Sequence, residues 1–167
     1  MAKPNEGRSR VVIDNLEPEL DCGRFPIKRI VDDTVSVEAD VFGDGHDEVR
    51  ARLLWKQEAD PDWQATEMRP LGNDRWQGEF ALGQVGRYRY TIVGEVDHFG
   101  TWRSDLKKRM AAQQDLKLPF ATGAILLEQA QARASKQDSA KLAAWAKALR
   151  TAKDDSATAE QRNARFA

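Results

Sequence analysis

Cysteine is nearly missing from this chain of 167 residues. The single Cys22 rules out an internal disulfide framework and fits a reducing, cytoplasmic compartment. Histidine is almost as scarce. His46 and His98 lie far apart, neither in an H-E-x-x-H nor in a Cys/His arrangement, and both read as solvated turn residues. No metal and no cofactor is therefore expected. No apolar run approaches the roughly 20 residues of a membrane-spanning helix. The opening residues MAKPNEGRSR lack the apolar core of a signal peptide and read as a disordered start over residues 1–9.

Excess charge of one sign is lacking too. The 26 Lys+Arg and 27 Asp+Glu leave a formal net charge of −1, which argues against a nucleic-acid partner. The distribution is uneven: residues 1–103 hold 14 basic against 20 acidic side chains, and residues 104–167 hold 12 against 7. The basic residues are spread along helical faces with no interleaved aromatics, so two pieces with different neighbours are a better reading than a nucleic-acid arm.

What is present is strand periodicity, then helix periodicity. Val11-Val12-Ile13 is a short β-branched strand, residues 17–26 a loop punctuated by Pro18, Gly23 and Pro26, and residues 27–31 a resumed strand. Val35, Val37, Ala39 and Val41 alternate with Ser36, Glu38 and Asp40, the period-2 signature of a half-buried strand. Val49, Ala51, Leu53 and Trp55 repeat it, and a further strand is expected around residues 64–68, ending before Pro70. The clearest pattern is NDRWQGEFALGQVGRYRYTIVGEVDHFGTWRSDL, residues 73–106. Trp76, Gly78, Phe80 and Leu82 share one face, and Tyr88, Tyr90, Ile92 and Gly94 share another; the short loop with Gly83 and Gly86 between them predicts a β-hairpin. About seven short strands at near-regular spacing predict an immunoglobulin-like antiparallel β-sandwich over residues 10–103, with a barrel as the structural alternative.

From Ser104 the period becomes helical. Ser104 is expected to cap a first helix that stops before Pro119, Thr122 a second and Ser139 a third. Leu142, Trp145, Ala146 and Leu149 then form one apolar stripe. A fourth helix is expected near Thr158, ending at Phe166-Ala167 without a stop signal, so residues 104–167 read as a helical subdomain cut within an element.

Sites of chemistry are hard to find. Gly43-Asp44-Gly45 opens like a dinucleotide fingerprint but lacks the third glycine and the helix. Asp40, Asp44 and Asp47 lack calcium-loop spacing. Ser104-Asp105-Leu106-Lys107 matches S-x-x-K without a K-T-G partner. No carboxylate pair stands out as a glycosidase acid and nucleophile. Cys22 sits beside Arg24, Lys28 and Arg29, which could lower its pKa, although a small packed residue in a tight turn is the simpler reading. Asp21, Arg24, Lys28 and Arg29 form either a solvated face or a docking surface. Among the aromatics, Trp76, Tyr88 and Tyr90 fit core faces, whereas Trp63 and Trp102, near loops, are the candidates for stacking against sugar rings.

W-x-G-x-F at Trp76, VGRYRYTIVG from Val85 and HFGTW from His98 resemble the N-terminal domain of the GlgE maltosyltransferases. RVVIDNLEPELDCGRFPIKR upstream (from Arg10) and DLKLPFATGAILLEQA downstream (from Asp115) extend the resemblance to most of the chain. It implies a non-catalytic β-sandwich with a helical insert, in enzymes of the α-amylase superfamily that transfer maltosyl units from maltose 1-phosphate to α-1,4-glucan. It also implies a homodimer, and catalytic residues on a (β/α)8 barrel C-terminal to these residues, so no catalytic residue carries over. The block with Asp21, Cys22, Arg24, Lys28 and Arg29 would then be a domain-docking loop, and Leu142, Trp145 and Leu149 a dimer or packing stripe. The chain alone is expected to be inactive. A stand-alone α-glucan-binding module is the alternative.

Overall fold

The computed structural model describes residues 10–152; the expectations for residues 1–9 and for a fourth helix lie outside the described residues. The described chain forms two compact units that meet in sequence between Asp97 and His98.

The first unit is all β. Its strands are β1 (Val11–Glu17), β2 (Thr34–Gly43), β3 (Val49–Gln57), β4 (Gln64–Glu67), β5 (Arg69–Gly72), β6 (Arg75–Ala81) and β7 (Tyr88–Val96). They make a four-stranded sheet in the order β1-β2-β6-β5 and a three-stranded sheet in the order β4-β3-β7, with all pairs antiparallel. The first order matches A-B-E-D of an immunoglobulin-type sandwich, and the second matches C′-C-F. Among the described residues no strand takes the G position beside β7.

Alternation decides the inner faces as expected. Val35, Val37, Ala39 and Val41 of β2 and Ala51 and Leu53 of β3 are buried, together with Phe80 and Ile92 from β6 and β7. Gly78 stands where a Cβ would come within 3.0 Å of both Leu53 Cβ and Met68 Cγ. A side chain there would push the sheets apart, so only glycine lets β6 lie this close.

Three expectations for the β part are corrected. First, β6 and β7 are not a hairpin: they lie in different sheets, and the loop between them crosses the sandwich. Both inward faces are large and aromatic, and they meet across the core instead of side by side. The Phe80 ring lies 6.3 Å from Tyr88 and 5.8 Å from Tyr90, while Trp55 stacks on Phe80 at 5.0 Å. Second, residues 27–31 form no strand; they are irregular, and Ile30 is 72% exposed. Pro26 removes a backbone donor just before them, and no neighbouring strand is available to pair. Third, β5 contains Pro70, which the sequence reading placed beyond a strand end. Pro70 is tolerated because β5 is an edge strand, paired only with β6.

The second unit holds α1 (His98–Ala111), α2 (Lys117–Gln131) and α3 (Lys136–Thr151). Every expected cap moves. Helix α1 starts at His98, so Ser104 lies inside it. The ring contact of Phe99 with Trp102, at 5.3 Å, and the burial of Gly100 hold the extra turn against a weak local signal. Helix α2 starts before Pro119, which occupies the first turn, where no backbone donor is needed. Thr122 is internal and its Oγ1 donates to Leu118 O at 3.1 Å. Ser135, not Ser139, caps α3: its Oγ accepts from Asp138 N at 3.2 Å and donates to Asp138 Oδ2 at 2.9 Å.

Candidate functional site: a cationic groove at one end of the sandwich

After β1 the chain enters a long loop that is pinned at both ends and free in between. Near its start the Tyr90 hydroxyl donates to Pro18 O, and Phe25 N donates to Leu20 O at 3.3 Å. At its end Asp32 N donates to Leu82 O at 2.8 Å, and Leu82 N donates to Asp33 O at 3.0 Å. The loop stands off the sandwich and leaves a cavity of about 1040 Å³ beneath it. Val35, Phe80, Leu82, Tyr88 and Tyr90 form an apolar floor, and Trp63 stands at the rim with one face under Lys56 Nζ, 5.7 Å from the ring centroid.

The rim is cationic. Arg24, Lys28, Arg29, Arg87 and Arg89 line the cavity against two carboxylates, Glu19 and Glu58, an excess of three positive charges. Arg89 is engaged: its Nε donates to Glu58 Oε1 at 3.1 Å. That hydrogen bond, and then the charge of Arg89, hold the Glu58 carboxyl below its usual range. Glu58 is thus kept ionised, the opposite of what a general acid requires. Burial pushes the Tyr90 hydroxyl up, opposed by Arg29 and reinforced by Glu19. Lys28, Arg29 and Arg87 have no ion pair among the described residues.

The expected docking loop is divided by this geometry. Arg24, Lys28 and Arg29 line the cavity, whereas Asp21 and Cys22 do not. Cys22 is exposed in a left-handed turn at φ 53°, with Asp21 at 51°, so it is a turn residue but not a packed one. Trp63 lines the cavity and is 45% exposed, as its loop position suggested. Trp102 is no open platform: its Nε1 donates to Pro119 O at 2.7 Å and its ring lies against Gly123 of α2. In the stripe on α3, Ala146 is buried, Leu142 and Leu149 are half-buried, and Trp145 is 59% exposed. The sequence reading missed Glu58, Arg87 and Arg89. The alternation of Arg87 and Arg89 with two core tyrosines was the available signal, but it could not say that the strand bordered a cavity.

No group of three or more His, Cys, Asp or Glu among the described residues is placed to hold a metal ion. No helix among them is long and apolar enough to cross a membrane. An apolar floor, a positive rim and an ion-paired carboxylate are thus brought together in one groove of the β-sandwich unit.

Residues 9–167 match the family described as alpha-1,4-glucan:maltose-1-phosphate maltosyltransferase, domain N/S, and the chain belongs to that family. The maltosyltransferase of Chlorobaculum tepidum is 46% identical over 140 residues, which are 84% of this chain and 21% of that protein. The one from Myxococcus xanthus is 47% identical over 128 residues, 74% of this chain and 19% of that protein. The chain thus spans about a fifth of the length of these relatives.

Proposed function

We propose that this chain is the non-catalytic, N-terminal assembly and docking domain of a maltosyltransferase of the α-amylase superfamily. The parent enzyme would move maltosyl units from maltose 1-phosphate to α-1,4-glucan. Its catalytic groups would lie on a barrel in the polypeptide outside these residues. The observation that carries this reading is the domain N/S match along the chain, set against a coverage of about a fifth of the relatives. The groove, with its apolar floor and cationic rim, supports a binding role. A cytoplasmic setting is consistent with the exposed free thiol of Cys22.

The decisive experiment is an activity assay on the purified chain with maltose 1-phosphate and a maltooligosaccharide acceptor. No phosphate release is expected. Turnover that disappears on replacing a carboxylate of this chain would overturn the proposal. A second reading, direct α-glucan binding, is favoured by one observation, the exposed Trp63 at the rim of the groove. Titration with maltooligosaccharides should quench tryptophan fluorescence if that reading holds, and Trp63→Ala should abolish the change.

A further inference from the structure

The exposed apolar side chains of the β unit gather about its groove. Val85, at 86%, is the most exposed large apolar residue among the described residues, and Ile30 is 72% and Phe25 55% exposed. All three line the groove, as Trp63 does. Their exposure is held by the fold. Val85 and Arg87 stand on a turn fixed to the end of β3: Gln57 Nε2 donates to Val85 O at 3.3 Å, and Glu58 N donates to Arg87 O at 2.7 Å. In the 23–31 segment, Ile30 N donates to Asp33 Oδ2 at 3.2 Å, and Ile30 O accepts from Asp33 N at 3.3 Å. Apolar residues scattered singly over a surface need no partner, but a group of them around one concavity, rimmed by polar side chains, marks an interaction site.

Unpaired charge lies beside these apolar groups. Lys28, Arg29 and Arg87 line the same groove without an ion pair among the described residues, whereas Arg89 is taken by Glu58 and Arg24 by Asp21 at 3.7 Å. An occupant that matches the groove must cover aliphatic side chains and supply negative charge together. A neutral glucan meets Trp63 but brings no charge for the three cations and no aliphatic side chain for Ile30 and Val85. A polypeptide with both apolar and acidic side chains meets both demands.

We infer that the groove seats one segment of the polypeptide outside these 167 residues, with apolar side chains against Phe25, Ile30 and Val85 and carboxylates against Lys28, Arg29 and Arg87. The relatives carry such additional chain: the match with the Chlorobaculum tepidum maltosyltransferase takes 84% of this chain but only 21% of that protein. This rests on the reading of the chain as a docking domain and names the chemistry of what it docks.

The test uses the 167-residue chain and overlapping synthetic peptides that cover the rest of the Chlorobaculum tepidum maltosyltransferase, followed by NMR of the Trp63 indole N–H and the backbone amides. One peptide carrying both apolar and acidic residues is expected to bind and to shift Trp63 and the amides of residues 28–31 and 85–87. Val85→Asp should weaken binding about tenfold or more. Lys28→Glu combined with Arg87→Glu should weaken it about tenfold, and lysine in place of the peptide's acidic residues should restore binding to that variant but not to the unsubstituted chain. All three positions are exposed, so circular dichroism should stay unchanged. A peptide that shifts amides elsewhere and leaves Trp63 and residues 28–31 unmoved would overturn the groove as the seat and leave the docking reading in place. Binding in the groove that ignores the charge reversal would overturn the acidic segment. Maltooligosaccharide that shifts Trp63 where no peptide does would overturn the inference in favour of direct glucan binding. No shift with any peptide or glucan at millimolar concentration would overturn the inference and the docking reading together.

Discussion

Arg75 gathers three carboxylates from two other strands. Its guanidinium reaches Glu17 at 2.8 Å, Glu38 at 3.1 Å and Asp40 at 3.2 Å, and donates to Asn15 O at 2.8 Å. Burial alone would lower its pKa; the hydrogen bonds to Glu38 and Asp40 outweigh that and raise it. Arg75→Ala leaves three like charges facing one another. Breaking a buried pair costs about 3–5 kcal/mol, but Glu17 here is largely exposed, so a loss of about 1–3 kcal/mol is expected in urea unfolding. Gly123 sets two effects against each other. Alanine in a helix is favoured over glycine by up to about 1 kcal/mol. A Cβ at Gly123 would, however, sit 2.1 Å from Trp102 Cζ2, and that indole is held by its bond to Pro119 O. Overpacking costs about 1–3 kcal/mol, so Gly123→Ala should destabilise the helical unit, read from thermal loss of helical circular dichroism. A third test concerns pH. The hydrogen bond from Arg150 holds the Glu128 carboxyl below its usual range. A depressed folded pKa stabilises above the unfolded value, about 4.3, and that contribution is lost as the pH falls through the folded value. Arg150→Gln should return Glu128 to ordinary titration by carboxyl NMR; an unchanged midpoint would refute the pair.

At the scale of elements, packing overrode local signals in a consistent direction. β6 and β7 carry the strongest alternation in the chain, and that alternation correctly named Phe80 and Ile92 as inward. It could not say which strand each would pair with, because pairing depends on partners remote in sequence: β6 takes β2 and β5, and β7 takes β3. The helices tell the same story. Ser, Thr and Pro signals were read where they stood, yet the starts of α1 and α2 followed Gly100, Trp102 and Pro119. On α3 the apolar stripe was legible, but its edge was not. Trp145 points outward, so Trp145→Asp should change the stability of the isolated chain by no more than about 0.5 kcal/mol. If the exposed indole forms a contact between copies, the same change should shift a dimer to monomer in sedimentation with circular dichroism unaltered. Melting of the helices without a change of oligomeric state would contradict the observed exposure.

At the scale of the whole molecule, the order of periods divided the chain. Strand-period residues fold into one unit and helix-period residues into another, and the boundary falls at Asp97–His98, a few residues before the expected one. The candidate site was legible only in fragments. Arg24, Lys28, Arg29 and Trp63 could be singled out because charged or aromatic side chains in a loop have no core to fill. Asp21 and Cys22 share the same block of sequence but sit in a left-handed turn and do not line the cavity.

The sequence by itself determined the inward and outward face of each principal strand, the β-then-α order and the family, because these depend on near-neighbour periodicity and on motif blocks. Only the tertiary structure decided that β6 and β7 part into different sheets, that β7 ends its sheet among the described residues, and that residues 87–90 meet the 23–31 segment around one cavity. Those facts arise from contacts between residues tens of positions apart, which side-chain volume and backbone pairing select together and no local pattern encodes.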